Sequence, residues 1–423
     1  MAQHRRMVLA ILLPALAAAC SDMPSLKIKG EAPIRIGVVG PMTGPNTTYG
    51  GQLRYGAGQA IEDINARGGV LDHQLTLRAA DDRCDPERAA TIAQGLAVEK
   101  IGFVVGHFCS AASIAAAPAY GEANILMITP SSSDPALTDA AAVRGADNVF
   151  RLVPRDDMQG PALAGYILAH QPDLPIALVQ DGSSYGKHVV DPARATLAAG
   201  GVHPALDETI TGDGADVSKL AAQLKARNVA VIVFGGHAKE AGMLVLEARR
   251  QGLEAVLMGG DALATEEFWK VAGPAGDGTI MTTLPDPRNS PAALHAVAGL
   301  ARYGIDATGY TLRAYAAVEL FAAAAERAHS LATADLAKAL REGEYDTALG
   351  PLRFDEKGDL KDAAYALYVW RGGGYQRVPR RRSPVRARAG RSPQRSPRIP
   401  WGRKTSRMMR SEKTAMSLYS IWR

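Results

Sequence analysis

Phe103-Val-Val-Gly-His-Phe-Cys-Ser110, followed by the alanine-rich run Ala111 to Ala123 and then by Ile125-Leu-Met-Ile128, decides the fold class of this chain. A short apolar run, a turn ending in a helix-capping hydroxyl, a helical stretch and a second apolar run read as one βαβ unit, which implies parallel strands. The alternation continues outward. Further strand candidates are Ile34-Arg-Ile-Gly-Val-Val, Leu75-Thr-Leu, Ile176-Ala-Leu-Val, Val229-Ala-Val-Ile-Val-Phe, Ala255-Val-Leu-Met and Thr279-Ile-Met-Thr-Thr. Helical stretches lie between them; from Gly51 to Asn65, Leu53, Ala57, Ile61 and Ile64 form one apolar stripe that Gly68-Gly69 ends. So many strands suit two sheets better than one. The expected class is α/β, with two doubly wound Rossmann-like lobes, although no internal sequence repeat announces the duplication. Asn148-Val-Phe-Arg-Leu-Val-Pro154 and Leu284-Pro-Asp-Pro287 read as crossings of a hinge between the lobes. Two such lobes leave a cleft at the carboxyl ends of their strands, where open α/β sheets bind ligands.

The N-terminus predicts export. Arg5 and Arg6 precede the apolar run Met7 to Leu16, and Ala17-Ala-Ala19 stands directly before Cys20. That run is too short to span a bilayer and has the three parts of a secretory signal. Leu16-Ala-Ala-Ala-Cys20 looks like a bacterial lipobox, whose cysteine is acylated after cleavage; an ordinary signal cut nearby is the alternative. Residues 1–20 are thus expected as a lipoprotein signal, 21–33 as a linker, and the mature protein as lipid-anchored in the periplasm or cell envelope. The chain has three cysteines, so Cys84 and Cys109 are left as an even pair, which an oxidising compartment favours as a disulfide over two free thiols. Charge is unevenly placed. Residues 378–423 hold 14 Arg and Lys against Glu412, a formal +13, so residues 1–377 carry −8 of the total +5. Pro379-Arg-Arg-Arg-Ser-Pro and Gly390-Arg-Ser-Pro-Gln-Arg-Ser-Pro have the composition of a solvated, disordered tail. A nucleic-acid role for such a tail fits poorly with an exported lipoprotein.

Several motifs carry possible chemistry. Ser110, placed as the N-cap of the helix beginning at Ala111, offers a hydroxyl and free backbone N–H groups to a carboxylate, although a plain cap looks the same. Thr129-Pro-Ser131-Ser132-Ser133-Asp134-Pro135 gathers hydroxyls at the next strand's end, with a solvated turn as its rival. Gly182-Ser-Ser184-Tyr-Gly186 matches the G-x-S-x-G of a hydrolase nucleophile elbow. A Ser184 esterase would recruit Asp261 and then His295 or His329, yet both histidines stand in helix-like apolar stretches. His107 and Cys109 suggest a nucleophile pair only if the thiol is free. Phosphate-binding glycine motifs and Cys/His metal spacings are missing, so no cofactor and no metal are assigned.

The chain resembles the leucine/isoleucine/valine-binding proteins of ABC transporters, with the type I periplasmic-binding-protein fold, from about Ile34 to Arg377. The motifs that carry the resemblance are Gly40-Pro-Met-Thr-Gly-Pro with Tyr49-Gly50, Glu62-Asp-Ile-Asn-Ala-Arg-Gly-Gly, Asp81-Asp-Arg-Cys-Asp-Pro and Gly106-His-Phe-Cys-Ser. Asp157-Met-Gln-Gly-Pro, Tyr185-Gly186, Phe234-Gly-Gly and Gly350-Pro-Leu-Arg-Phe-Asp-Glu-Lys-Gly-Asp-Leu-Lys follow in the family's order and spacing. The resemblance implies a site for an amino-acid zwitterion between the lobes. Ser110, with the backbone around Ser131 and Ser133, would receive the α-carboxylate. Asp261 would face the α-ammonium, helped by the Ser131 carbonyl and the Ser133 hydroxyl. Tyr49, Tyr185, His237 and Tyr310 would line the side-chain pocket, and Tyr185-Gly186 accounts for the G-x-S-x-G match. Cys84 and Cys109 coincide with the family's disulfide.

This chain departs from the family pattern at three places. The family commonly has Glu where Asp261 stands, so the carboxylate withdraws by about one C–C bond and the ammonium must shift or a water must bridge. His237 replaces a usual tyrosine and makes the wall titratable. Ser131 and Ser133 replace Ala and Thr. The function implied is an extracytoplasmic solute-binding lipoprotein, expected as a monomer, that delivers a branched-chain or related L-amino acid to permease subunits; the other reading is a ligand-sensing lipoprotein. Residues 34–154 and 286–365 are expected to form lobe 1, and 155–285 and 366–377 lobe 2.

Overall fold

The computed structural model describes residues 32–143, 147–210 and 214–378, so Cys20, the signal segment and the basic tail after Val378 lie outside the described residues. The strands are β1 (Ile34–Gly40), β2 (Leu75–Asp81), β3 (Phe103–Val105), β4 (Leu126–Thr129), β5 (Val149–Arg151), β6 (Ile176–Gln180) and β7 (Leu206–Thr209). They continue as β8 (Val231–Gly235), β9 (Val256–Gly259), β10 (Ile280–Thr283), β11 (Tyr345–Thr347), β12 (Gly350–Leu352), β13 (Ala366–Arg371) and β14 (Gly374–Arg377). One sheet has the order β2-β1-β3-β4-β5, parallel throughout. The other has the order β14-β13-β10-β9-β8-β6-β7, parallel from β10 to β7, with β13 and β14 antiparallel at one edge. The first five strands of each half therefore repeat one topology without repeating sequence, because the topology needs only the alternation of apolar runs and helices. β11 and β12 form a separate two-stranded ribbon.

Both sheets are buried on both faces, as parallel sheets require. Helices Thr47–Ala66 and Thr311–Ala328 cover one face of the first sheet through Leu53, Ala57, Leu312 and Phe321, while Ala93, Leu96, Ala116 and Tyr120 cover the other. The second sheet is likewise enclosed by Leu220, Leu224, Leu244 and Phe268 on one side and by Leu163, Ile167, Val190 and Leu197 on the other.

Three details differ from expectation. Ser110 is not the N-cap of its helix but its first residue: the helix runs Ser110–Glu122 with Cys109 as cap, in extended backbone and without a side-chain cap bond. The disulfide holds the Cys109 sulfur elsewhere, which leaves the Ser110 hydroxyl free to turn toward the next loop. The stretch Asn148–Pro154 opens as the edge strand β5, whose three residues are all buried. β7, Leu206-Asp-Glu-Thr, buries one residue of four, so no apolar run marks it.

Cys84 and Cys109 are joined, closing a loop with a sequence separation of 25. Replacing both by alanine should lower stability by about 3 kcal/mol in the chain-entropy model, read as a reduced denaturation midpoint in the presence of oxidant. An unchanged midpoint would mean that the unfolded chain gains nothing from the loop's release.

Candidate functional site

The sequence-predicted residues sit where both halves present the carboxyl ends of their parallel strands. Ser110 follows β3, Ser131 and Ser133 follow β4, Tyr185 follows β6, His237 follows β8 and Asp261 follows β9. Tyr49 lies in the first turns of the helix after β1, and Tyr310 stands just before helix Thr311–Ala328.

On the first sheet's side, backbone and hydroxyls are tied into a compact cradle. The Ser110 Oγ accepts from the backbone N–H groups of Ser133 (3.2 Å) and Asp134 (3.3 Å). Ser131 Oγ donates to the Phe108 carbonyl at 2.8 Å, and Ser132 Oγ shares a 2.7 Å bond with Ser113. Gly106, at φ +143, brings its Cα against the β1 backbone, where a Cβ would lie 2.3 Å from the Val39 oxygen. Any side chain there would lift the whole Gly106–Ser110 turn. His107 is fully buried under this turn, with Nδ1 2.7 Å from Asp82 and Nε2 3.0 Å from the Tyr120 hydroxyl. Its role is therefore to support the turn, and the disulfide removes the thiol of the His107/Cys109 nucleophile pair.

The aromatic wall is larger than expected. Tyr49 stacks on Phe108 with ring centroids 4.4 Å apart, and Tyr310 meets both edge-on, at 6.1 Å from Tyr49 and 5.2 Å from Phe108. Phe108 belongs to the Gly106–Ser110 motif but carries no polar chemistry, so nothing in the sequence singles it out.

On the second sheet's side, Asp261 is the centre of a hydrogen-bonded group. Its Oδ1 accepts from the Tyr185 hydroxyl at 2.7 Å and from Gln159 Nε2 at 3.0 Å. Gln159 in turn receives the Asp261 N–H at 2.8 Å and the Thr282 hydroxyl at 2.6 Å on its Oε1, and its amide also reaches Asp156 at 3.1 Å. Gly260 makes room for this arrangement; a Cβ there would lie 2.1 Å from the Tyr185 hydroxyl oxygen. Asp156 donates its N–H to the Ser133 carbonyl at 3.0 Å, and its carboxylate is hydrogen-bonded to the Ser133 side chain. Ser133, Asp156, Gln159, Asp261 and Tyr185 thus form one chain of contacts from the loops of the first sheet to those of the second.

Neither carboxylate of this chain has an ion-pair partner among the described residues. Burial, the proximity of Asp261 and, to a smaller extent, that of Asp134 push Asp156 up to about 7 against the bonds from Ser133 and Gln159. Burial raises Asp261 as well, with the Tyr185 and Gln159 bonds opposing it. Burial and the neighbouring Asp261 carry the Tyr185 phenol well above its ordinary range. A carboxyl whose folded pKa is raised contributes stability below its unfolded pKa and loses it as pH rises through the folded value. The ligand-free protein should therefore lose stability between about pH 4 and pH 7 through Asp156. Asp156→Asn should flatten that part of the profile, measured by thermal melting across pH; an unaltered profile would remove Asp156 from this role.

His237 caps helix Ala238–Arg250, with its N–H 3.1 Å and its Nδ1 2.7 Å from Asp181 Oδ2, and its ring lies 5.6 Å from that of Tyr185. The Asp181 bond raises the His237 pKa against burial. For Asp181, burial alone would raise the pKa, but the bonds from His237 and Ser183 outweigh it and bring it down to about 2.

The Ser184 triad does not assemble. Asp261 is engaged by Tyr185 and Gln159, His295 lies 3.3 Å from Asp63, and His329 ends helix Thr311–Ala328 in a left-handed conformation. Ser183, not Ser184, caps helix Ser184–Ala199, its Oγ accepting from Gly186 N–H at 2.9 Å.

Residues 33–374 match the family model described as periplasmic binding protein. The chain is a periplasmic binding protein. Among its relatives is a Leu/Ile/Val-binding protein of Rhizobium johnstonii, 38% identical over 345 residues, covering 81% of this chain and 93% of that one. An amino acid binding protein of Pseudomonas aeruginosa is 38% identical over 368 residues, covering 86% and 97%. Among solved structures, an ABC transporter substrate-binding protein from Desulfitobacterium hafniense in complex with Leu superposes with a TM-score of 0.69 at 27% identity, covering 82% of this binding protein and 100% of that chain. The resemblance seen in the sequence motifs is thus correct, and family membership makes the binding protein extracytoplasmic.

Proposed function

We propose that this binding protein is the lipid-anchored receptor of an ABC transporter, holding one L-amino acid between its halves and presenting it to the permease without making or breaking a bond. The observation that carries this is the half-buried carboxylate of Asp261, which has no ion-pair partner among the described residues and is held in place by Tyr185 and Gln159 opposite the Ser110–Ser133 cradle. A buried carboxylate gains most from a cation that arrives with its own hydrogen-bond donors, and an α-ammonium is such a cation. Ser110 and the backbone around Ser131 and Ser133 would take the α-carboxylate at the start of helix Ser110–Glu122, the Ser133 N–H exchanging its bond to the Ser110 hydroxyl for the ligand. Tyr49, Phe108, Tyr185, His237 and Tyr310 would enclose the side chain. Relatives that bind leucine, isoleucine or valine support an amino acid as ligand. Lobe 1 would comprise residues 34–154 and 286–365 and lobe 2 residues 155–285 and 366–377, closing by a hinge movement that ligand contacts on both sides favour.

The test is a thermal-shift screen of the oxidised protein against the L-amino acids and the matched carboxylates lacking the amine. At 100 times its dissociation constant a ligand should add about 2.7 kcal/mol of stability. A shift with amino acids alone is expected. Shifts with the amine-free acids alone would reject the ammonium role of Asp261.

A further inference from the structure

Two arginines are buried among the described residues, Arg151 and Arg313, and they differ in one respect. Arg151 meets the Asp359 carboxylate at 2.6 Å. Arg313, only 9% exposed, makes no ion pair among the described residues: one terminal nitrogen donates to the Gly309 carbonyl at 3.3 Å, and its buried Nε has no hydrogen-bond partner among them. A guanidinium stays charged when buried, and a buried cation without a counter-ion is costly. Such a group calls for a partner that arrives from outside the fold.

Its position indicates where that partner would come from. Arg313 stands one turn beyond Tyr310 on the same face of helix Thr311–Ala328, with its guanidinium carbon 6.0 Å from the Tyr310 ring centroid. Its charge acts on Tyr310, on Tyr365 and on Asp286. Tyr365 donates to the Pro154 carbonyl at the first crossing, and Asp286 belongs to the second, where Arg288 already occupies its carboxylate at 2.7 Å. Tyr310 and Tyr365 in turn lie within electrostatic reach of both Asp261 and Asp156. The guanidinium, without an ion-pair partner among the described residues, therefore sits beside Tyr310, where the aromatic wall meets the crossings.

We propose that Arg313 binds a carboxylate on the ligand's side chain, so that the amino acid this cleft takes is an acidic one of the aspartate or glutamate type. The inference rests on the amino-acid function proposed above. Each ligand charge then finds its complement: the α-carboxylate at the Ser110 cradle, the ammonium at Asp261 and the side-chain carboxylate at the fork of Arg313, which suits bidentate recognition. An aliphatic side chain would leave the guanidinium buried and unpaired.

Isothermal titration of the full-length protein with L-glutamate, L-aspartate, L-glutamine and L-leucine tests this. An acidic amino acid should bind on the order of 100-fold more tightly than glutamine, the neutral isostere of glutamate, because glutamine cannot satisfy the cation. Arg313→Leu should lose most of that advantage, and Arg313→Lys, which keeps the charge without the fork, should fall between. If Arg313→Leu fails to fold, the glutamate and glutamine affinities of the parent protein decide. Binding of leucine without binding of either acidic amino acid overturns the inference and leaves the amino-acid function standing. An Arg313→Leu protein that binds glutamate as the parent does overturns it equally. Failure of every amino acid, in this titration and in the thermal screen, overturns the function itself.

Discussion

Asp261→Ala should weaken amino-acid binding by roughly 30-fold or more while leaving the ligand-free fold nearly as stable as before. The two effects separate because the half-buried Asp261 carboxylate has no ion-pair partner among the described residues, so the ligand-free protein carries part of the cost of desolvating that charge and recovers it when the ammonium binds. Removing the carboxylate leaves the ammonium buried against the Tyr185 and Gln159 side chains that had bound Asp261. Truncating one partner of a buried, hydrogen-bonded charge pair costs about 2–5 kcal/mol, roughly 30-fold to several thousand-fold in dissociation constant. Calorimetric titration of parent and variant measures it. Equal affinities would show that the ammonium sits elsewhere, and the other carboxylate of the chain, Asp156, would be the next to replace.

The second large effect is expected at Arg151, beneath the Ser131–Asp134 loop. Its side chain is fully buried, with Nε 2.6 Å from Asp359 in a close ionic contact that lacks hydrogen-bond alignment. One terminal nitrogen donates to the Ser132 and Asp134 carbonyls, at 3.0 and 2.9 Å, and the other to the Thr138 hydroxyl at 2.6 Å. Arg151 thus pins the Ser131–Asp134 loop from beneath. Arg151→Ala leaves the Asp359 carboxylate with the Thr138 hydroxyl at 3.1 Å and Arg155 at 3.3 Å among the described residues and frees two loop carbonyls and the Thr138 hydroxyl, so a loss of about 3–5 kcal/mol is expected in chemical denaturation. Asp359→Asn should destabilise less than additively when combined with it, since both remove one pair. A loss no larger than that of an ordinary surface substitution would show that the loop is held by other contacts. Because the loop shapes the carboxylate cradle, the variant's ligand affinity should fall together with its stability.

Much of this architecture is legible in the sequence because it is written in local periodicity. Ile34–Gly40, Phe103–Val105 and Val231–Gly235 are short apolar runs next to helical stripes, and such runs have little choice but to pair as buried parallel strands. Ser110 and the hydroxyls of Ser131 and Ser133 could be named because they follow apolar runs, whereas Tyr49, Tyr185, His237, Asp261 and Tyr310 were named through the family resemblance of the motifs. Elements without an apolar signature, such as β7 with its exposed Asp207, Glu208 and Thr209, could not be found in this way. The expected export signal and the basic tail rest on composition alone and lie outside the described residues. Only the tertiary structure decided which side chains meet. Gln159 bonds Asp261 across 102 residues of sequence, Arg151 reaches Asp359, Phe108 stacks on Tyr49, and Arg313 is left without a counter-ion among the described residues. These relations depend on how the folded chain orients its loops, and burial sets their energies. Neither the orientation nor the burial of a charge is encoded within a few residues of the group concerned.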